Sequence, residues 1–243
     1  MRLQTVGELE LEATGVRGDR RFYLVDDEGA LVNAKRLPAL LTVRPTVDDG
    51  RLILRFPDDS TVEGEVLDSD ESIETSFFGR PVAGRIVEGP WAAAVSELAG
   101  KPVRLARTER EGDGYDRGRS AGASLVSTAS LDALRAAAGA DRPVDGRRFR
   151  MTVGIDGVAP HAEDGWIGSR LRIGGAVVLV REHVGRCSVT TRDPDTGVRD
   201  LDTLGALAEY RAHVPTKEPL PFGVWCGVVE PGRVAVGDSV EPE

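Results

Sequence analysis

A chain of 243 residues, 40% of them hydrophobic, is long enough to bury a core as one large domain or two smaller units, which argues against disorder. Twenty-nine glycines and 14 prolines favour short strands joined by turns over long helices. A formal net charge of −9 argues against non-specific binding to phosphate backbones, so no nucleic-acid partner is expected, although arginine clusters at Arg20-Arg21, Arg147-Arg148-Arg150 and Arg181 to Arg192 leave room for a small anionic ligand.

In chain order, the N-terminal MRLQTVGELELEA lacks the apolar segment of a signal peptide, and no apolar run reaches the roughly 20 residues that span a bilayer. The expectation is a soluble, cytoplasmic protein with no membrane partner. ELELEA alternates as a strand. FYLVDDEGALV reads as strand, acidic-Gly turn, strand, and VDDGRLILRFPDDSTVEGEV repeats that form, so the first part is expected to be a β-meander. EGPWAAAVSELAG predicts a helix with Pro90 in its first turn and Gly100 at its C-terminal cap. KPVRLAR is a further strand, and the polar TEREGDGYDRGRSAG is expected to be a mobile loop at the domain junction.

The second part predicts a strand in ASLVS and a helix in TASLDALRAAAG, with Thr128 as N-cap and Gly139 at the end. FRMTVGID, LRIGGAVVLVREHV, SVTT and VWCGVVEPGRVAVGDSVE supply more strands, and DTLGALAEYR a short helix started by Asp202. The expected architecture is mainly β with short helices (α+β), divided at residues 1–105 and 106–243.

Several stretches carry candidate chemistry. GRSAG matches the spacing of a hydrolase nucleophile elbow, but it follows a polar loop and precedes a strand, the reverse of the strand-turn-helix context that motif needs. DPDTG has its glycine one position early for a calcium loop and reads as a hairpin turn. His183, four residues before Cys187, raises a cysteine–histidine nucleophile pair that the flanking pattern does little to support. Two cysteines alone cannot build a zinc site or hold an iron–sulfur cluster, and a redox partner must then be another protein. Cys187, between Arg186 and Ser-Val-Thr-Thr with Arg181, His183 and Arg192 near in sequence, has surroundings that favour a thiolate. Cys226, inside FGVWCGVV, reads as a core residue.

GRCSVTTRDPDTG, followed by LGALAEYR, FGVW and PGRVAVGDSVE, strongly resembles the MOSC domain, the module also found at the C-terminus of molybdenum-cofactor sulfurases. SLVSTASLDAL, RRFRMTVGIDG and AEDGWIGSRLRIG resemble its upstream segments, so the likeness covers about residues 115 to 241. GDRRFYLVDDEGALVNAKRLPAL resembles the N-terminal β-barrel domain that precedes it in amidoxime-reducing and related proteins. The resemblance implies a MOSC-type β-barrel behind a smaller barrel-like domain, and a molybdenum cofactor (molybdopterin) site with Cys187 as catalytic residue and Mo ligand. A soft metal held by a pterin dithiolene prefers thiolate to carboxylate, and the cofactor's phosphate needs cationic, hydroxyl or N–H donors. Arg150, Thr152, Ser127, Thr128, Arg186 and Lys35 are the positions expected to supply them. The chain departs from the family pattern in three places: it has no Lys-Ser near its first residues, Met151-Thr152 follow Arg150 where Pro-Asn is usual, and GYDRG replaces an aromatic-Asp-Gly-aromatic-Pro stretch.

The expected activity is reduction of small N-hydroxylated or N-oxide substrates with electrons from a separate reductase. One alternative is a sulfur carrier or sulfurtransferase that uses a Cys187 persulfide loaded by a partner cysteine desulfurase. The other is a degenerate MOSC fold acting as a non-catalytic binding module.

Overall fold

The structure is a computed structural model that describes residues 1–48 and 50–243. Two compact units divide the chain: Met1–Gln4, Gly18–Asp116 and Pro194–Val198 form the first, and Thr5–Arg17, Arg117–Asp193 and Arg199–Glu243 the second. The secondary structure is mainly β with short helices, as the turn-rich composition predicts.

The chain begins with β1 (Glu8–Glu12) and β2 (Gly15–Val16). Alternation in ELELE sends Leu11 inward, where it is buried with Val178, Val234 and their neighbours in the core of the second unit. β1 therefore does not join the meander of the first unit expected for it; it pairs with residues 232–235. A period of two fixes which face of a strand is apolar but carries no information about its partner.

The first unit is built from β3 (Phe22–Val25), β4 (Leu31–Val32), β5 (Arg44–Asp48), β6 (Arg51–Arg55), β7 (Thr61–Glu65), β8 (Leu67–Phe77) and β9 (Arg80–Glu88), then α1 (Trp91–Ala99) and β10 (Arg104–Thr108). They form two sheets, ordered β4-β3-β10-β9-β8 and β5-β6-β7. The expected turn at 48–50 includes Asp49, which lies outside the described residues. Pro90 directly precedes α1, and Gly100 ends it at φ 65°, a left-handed cap that glycine adopts without Cβ strain. Trp91 is fully buried among Leu52, Leu54, Val95 and Leu105, and its indole N–H donates to Leu52 O at 2.9 Å.

The stretch expected to be a mobile junction loop is instead packed into this unit over residues 109–115. Tyr115 is only 4% exposed, with the Arg20 guanidinium 4.8 Å from its ring centroid. Arg80 Nη2 donates to Asp113 O and Tyr115 O at 2.6 and 2.8 Å. Composition marked this segment as polar, but the arginines that hold it come from distant positions.

The second unit adds β11 (Ala123–Ser127), α2 (Thr128–Ala137), β12 (Val153–Ile155), β13 (Arg170–Ile173), β14 (Ala176–Gly185), α3 (Thr203–Tyr210), β15 (Pro221–Glu230), β16 (Gly232–Ala235) and β17 (Val240–Pro242). Its main sheet runs β12-β11-β15-β14-β13-β17. β11 and β12 are parallel and are linked across α2, whereas β15 runs antiparallel to both β11 and β14. With Leu125 opposite Val224, Ser127 opposite Ile155 and Gly185 opposite Pro221, the last residues of β11, β12 and β14 and the first of β15 share one end of the sheet.

Three local expectations change in this unit. Ser127, not Thr128, caps α2, its side chain accepting from Ser130 N. The strand expected over FRMTVGID is confined to β12, because Asp145 accepts from Arg147 N and starts a 3-10 turn at Gly146–Phe149 that ends with Arg150 at φ 54°. SVTT is likewise a 3-10 turn, Ser188–Thr191, in which both threonine hydroxyls bond back to carbonyls three residues earlier. Such side-chain bonds offer the backbone an alternative to the ladder.

Candidate functional site

β14 ends in two irregularities against β15, and the residues that follow are held from several sides. Gly185 N donates to Glu218 Oε2 at 2.9 Å, and a Cβ at that glycine would lie 2.6 Å from Glu218 Cβ. Arg186 N donates to Pro219 O at 3.3 Å. The Arg186 side chain turns into the protein, where Nε donates to Phe222 O and Nη1 to Phe149 O, both at 2.9 Å. Burial pushes its pKa down to about 9, with Arg117 acting in the same direction and Cys187 and Glu218 opposing. The group thus stays cationic at neutral pH.

Because Arg186 points inward, Cys187 faces the other way and is exposed. Its carbonyl accepts from Thr190 N at 3.1 Å and Thr190 Oγ1 at 3.0 Å, and Thr190 Oγ1 lies 2.7 Å from Thr203 Oγ1 at the start of α3. The backbone is fixed on both sides while the thiol meets solvent, an arrangement that presents a soft ligand with little reorganisation. Cys226 is fully enclosed in the sheet core, and burial pushes its thiol up to about 12.

The other expected site residues are placed differently. Thr152 and Ser124 form a reciprocal pair, Ser124 N donating to Thr152 Oγ1 at 3.1 Å and Thr152 N to Ser124 Oγ at 3.0 Å. Thr128 Oγ1 donates to Asp156 Oδ1 at 2.8 Å, which holds that carboxyl below its usual range, aided by Gly157 N–H. Ser127 is fully buried, with Oγ 2.6 Å from Ser130 Oγ. Arg150 sits half-buried at the left-handed end of its 3-10 turn. Lys35 is exposed in the first unit.

Glu163 was missed. It is 0% exposed, and its Oε1 accepts from Ser127 N at 3.2 Å and Ser130 Oγ at 2.8 Å. The position where a helix N-terminus would attract a phosphate is thereby taken by a carboxylate of the chain itself. Beside it, Asp164 accepts from Arg211 Nη2 at 2.5 Å and lies 3.2 Å from His183 Nε2. His183 is therefore directed to Asp164, leaving no support for the cysteine–histidine pair. The only sequence signal was the acidic pair of AEDGW, whose burial no local pattern announces.

Tested against a molybdenum cofactor, the site fits at its sulfur end: an exposed, backbone-fixed thiol suits a soft metal. It does not fit at four of the expected phosphate or pterin donors. Ser127, Thr128, Thr152 and Arg186 all direct their hydrogen-bonding groups to partners within the protein.

The matched family models are the MOSC domain over residues 115–241 and the MOSC N-terminal beta barrel domain over residues 1–101. The chain belongs to the MOSC domain family. Among relatives of this MOSC protein, "Mitochondrial amidoxime-reducing component 1" of Mus musculus is 26% identical over 264 residues, covering 97% of this chain and 76% of the relative. "Molybdenum cofactor sulfurase" of Anopheles gambiae is 27% identical over 240 residues, covering 84% of this chain but 30% of the relative. Among solved structures, the YuaD protein of Bacillus subtilis matches with 12% identity and a TM-score of 0.43, covering 98% of this chain and 85% of that one. No helix among the described residues is long and apolar enough to cross a membrane.

Proposed function

We propose that this MOSC protein binds a molybdenum cofactor through Cys187 and reduces small N-hydroxylated or N-oxide substrates, using electrons from a separate reductase. The observation that carries the reading is the outward thiol of Cys187, anchored through Gly185, Arg186 and Thr190. Among the described residues no three His, Cys, Asp or Glu side chains converge to hold a metal ion. A metal at Cys187 must then bring most of its ligands with it, as a pterin dithiolene does. The names of the relatives, one an amidoxime-reducing component and one a molybdenum cofactor sulfurase, support the same chemistry.

When bound, the cofactor would supply two-electron oxygen transfer: an N–OH group, two electrons and two protons give N–H and water. The chain's own contribution is to fix the thiol and to anchor the adjacent Arg186 guanidinium on Phe222 O and Phe149 O. Arg150, in the same unit as Cys187, remains the proposed contact to the cofactor's phosphate. Protein made in a cofactor-competent host and supplied with a chemical reductant is expected to convert benzamidoxime to benzamidine, with Cys187→Ser at least 100-fold slower. Equal rates would refute the proposal.

A second reading rests on the same exposed thiol and on the sulfurase relative: Cys187 carries a persulfide delivered by a cysteine desulfurase. Mass spectrometry after incubation with a desulfurase and cysteine decides it, through the presence or absence of one added sulfur on the Cys187 peptide.

A further inference from the structure

Behind the start of α2 lies a second polar site that does not involve Cys187. All its members belong to the second unit. The 3-10 turn Ala162–Trp166 supplies Glu163, and His161 immediately precedes it. Ser130 ties the two together: its Oγ accepts from His161 N at 2.8 Å and donates to Glu163 Oε1 at 2.8 Å. The His161 ring stands 5.7 Å from the ring of Tyr210, at the end of α3, and 5.9 Å from that of Phe222.

Glu163 Oε2, both His161 ring nitrogens and Tyr210 Oη are buried, and none has a hydrogen-bond partner among the described residues. Ser130 Oγ thus joins the His161 backbone to Glu163, and the His161 ring neighbours that of Tyr210. Arg211, a cation that acts on both rings, is already engaged by Asp164 and Pro221 O. The donors to Glu163 are a backbone N–H and a hydroxyl, both neutral. A sealed carboxylate oxygen in such surroundings costs free energy until something donates to it.

We propose that this cluster is an internal binding site for one small hydrogen-bond donor, a water molecule or an ammonium ion, held by Glu163 Oε2, His161 and Tyr210. The groups match that chemistry. Burial, with Arg211 and His213 acting alongside, lowers the pKa of His161, so at neutral pH the imidazole is uncharged and offers one donor and one acceptor. Burial also pushes the Tyr210 phenol up to about 12, which keeps its hydroxyl protonated. Water, with two donors and two acceptors, makes about three bonds in such settings. Ammonium would donate to the carboxylate, the bare imidazole nitrogen and the phenol oxygen. The guest joins the 3-10 turn to α3, and α3 in turn holds Thr190 through Thr203.

The test is a crystal structure of the full chain at about 1.5 Å, paired with thermal melts in ammonium chloride and in tetramethylammonium chloride at equal ionic strength. A density peak within about 3.2 Å of Glu163 Oε2 and of a His161 or Tyr210 polar atom supports the site. An ammonium-specific rise in Tm, abolished in Tyr210→Phe, then identifies ammonium, and its absence identifies water. No peak there, or a direct bond from Glu163 Oε2 to His161 or Tyr210, overturns the proposal. Each of these outcomes is independent of whether molybdenum binds at Cys187.

Discussion

The end of β14 and the start of α2 lie at the same end of one sheet, and both were expected to face a cofactor. They are opposites. At Cys187 the backbone and the neighbouring arginine consume the internal hydrogen bonds, and the thiol side chain is left outside. At Ser127 the side chain itself is consumed, sealed beneath Glu163 and Ser130. The lesson is that a polar residue in a family-like motif is left available to a ligand only when other groups satisfy the local backbone. Where a carboxylate already fills the helix N-terminus, the hydroxyl becomes part of the fold.

That contrast can be broken first through the thiols. Iodoacetamide applied to the folded protein is expected to label Cys187 at least 100-fold faster than Cys226, and denaturant should erase the difference. Comparable rates in the native state would remove the outward-facing thiol, whereas an unreactive Cys187 would favour a non-catalytic MOSC fold.

The next largest effect is expected at Glu163. Glu163→Ala leaves the buried Ser127 N–H and Ser130 hydroxyl without their acceptor, each worth about 1–3 kcal/mol, so denaturant unfolding should show a loss of about 2–6 kcal/mol. A loss below 1 kcal/mol would mean that the carboxylate is not the structural anion of α2. Ser127→Ala removes only the cap and should cost about 1 kcal/mol. Its molybdenum content should match wild type, and a fall to the level of a Cys187 variant would return Ser127 to the cofactor.

The smallest expected effect is on pH dependence. The folded pKa of His161 lies below its ordinary value of 6.5, so near and below that pH the unfolded chain binds more protons than the native state. Stability from this group is present above pH 6.5 and is lost as pH falls through 6.5 toward the folded pKa. Tm measured from pH 7.5 to 5 should therefore fall less steeply in His161→Phe than in wild type, and identical slopes would contradict the burial of a neutral imidazole.

Much of this architecture was legible because its determinants are local. Acidic-Gly turns between alternating runs marked the hairpins, Gly100 and Asp202 marked helix ends, and the basic and apolar neighbours of Cys187 and Cys226 separated the two thiols. Where the determinant was distant, sequence reasoning failed. Leu11 chose its partner by fitting the second core, Arg20 and Arg80 pinned Tyr115 from far along the chain, and Glu163 reached α2 across more than thirty residues. In Ser188–Thr191, hydroxyls bonding back to carbonyls overrode a strand-like composition.

The most direct measurement is the molybdenum-to-protein ratio of the chain purified from a cofactor-competent host, beside Cys187→Ser. The account predicts a ratio near one that falls at least tenfold in the variant, with Tm unchanged. A wild-type protein without molybdenum, or a variant that keeps it in full, would contradict the account.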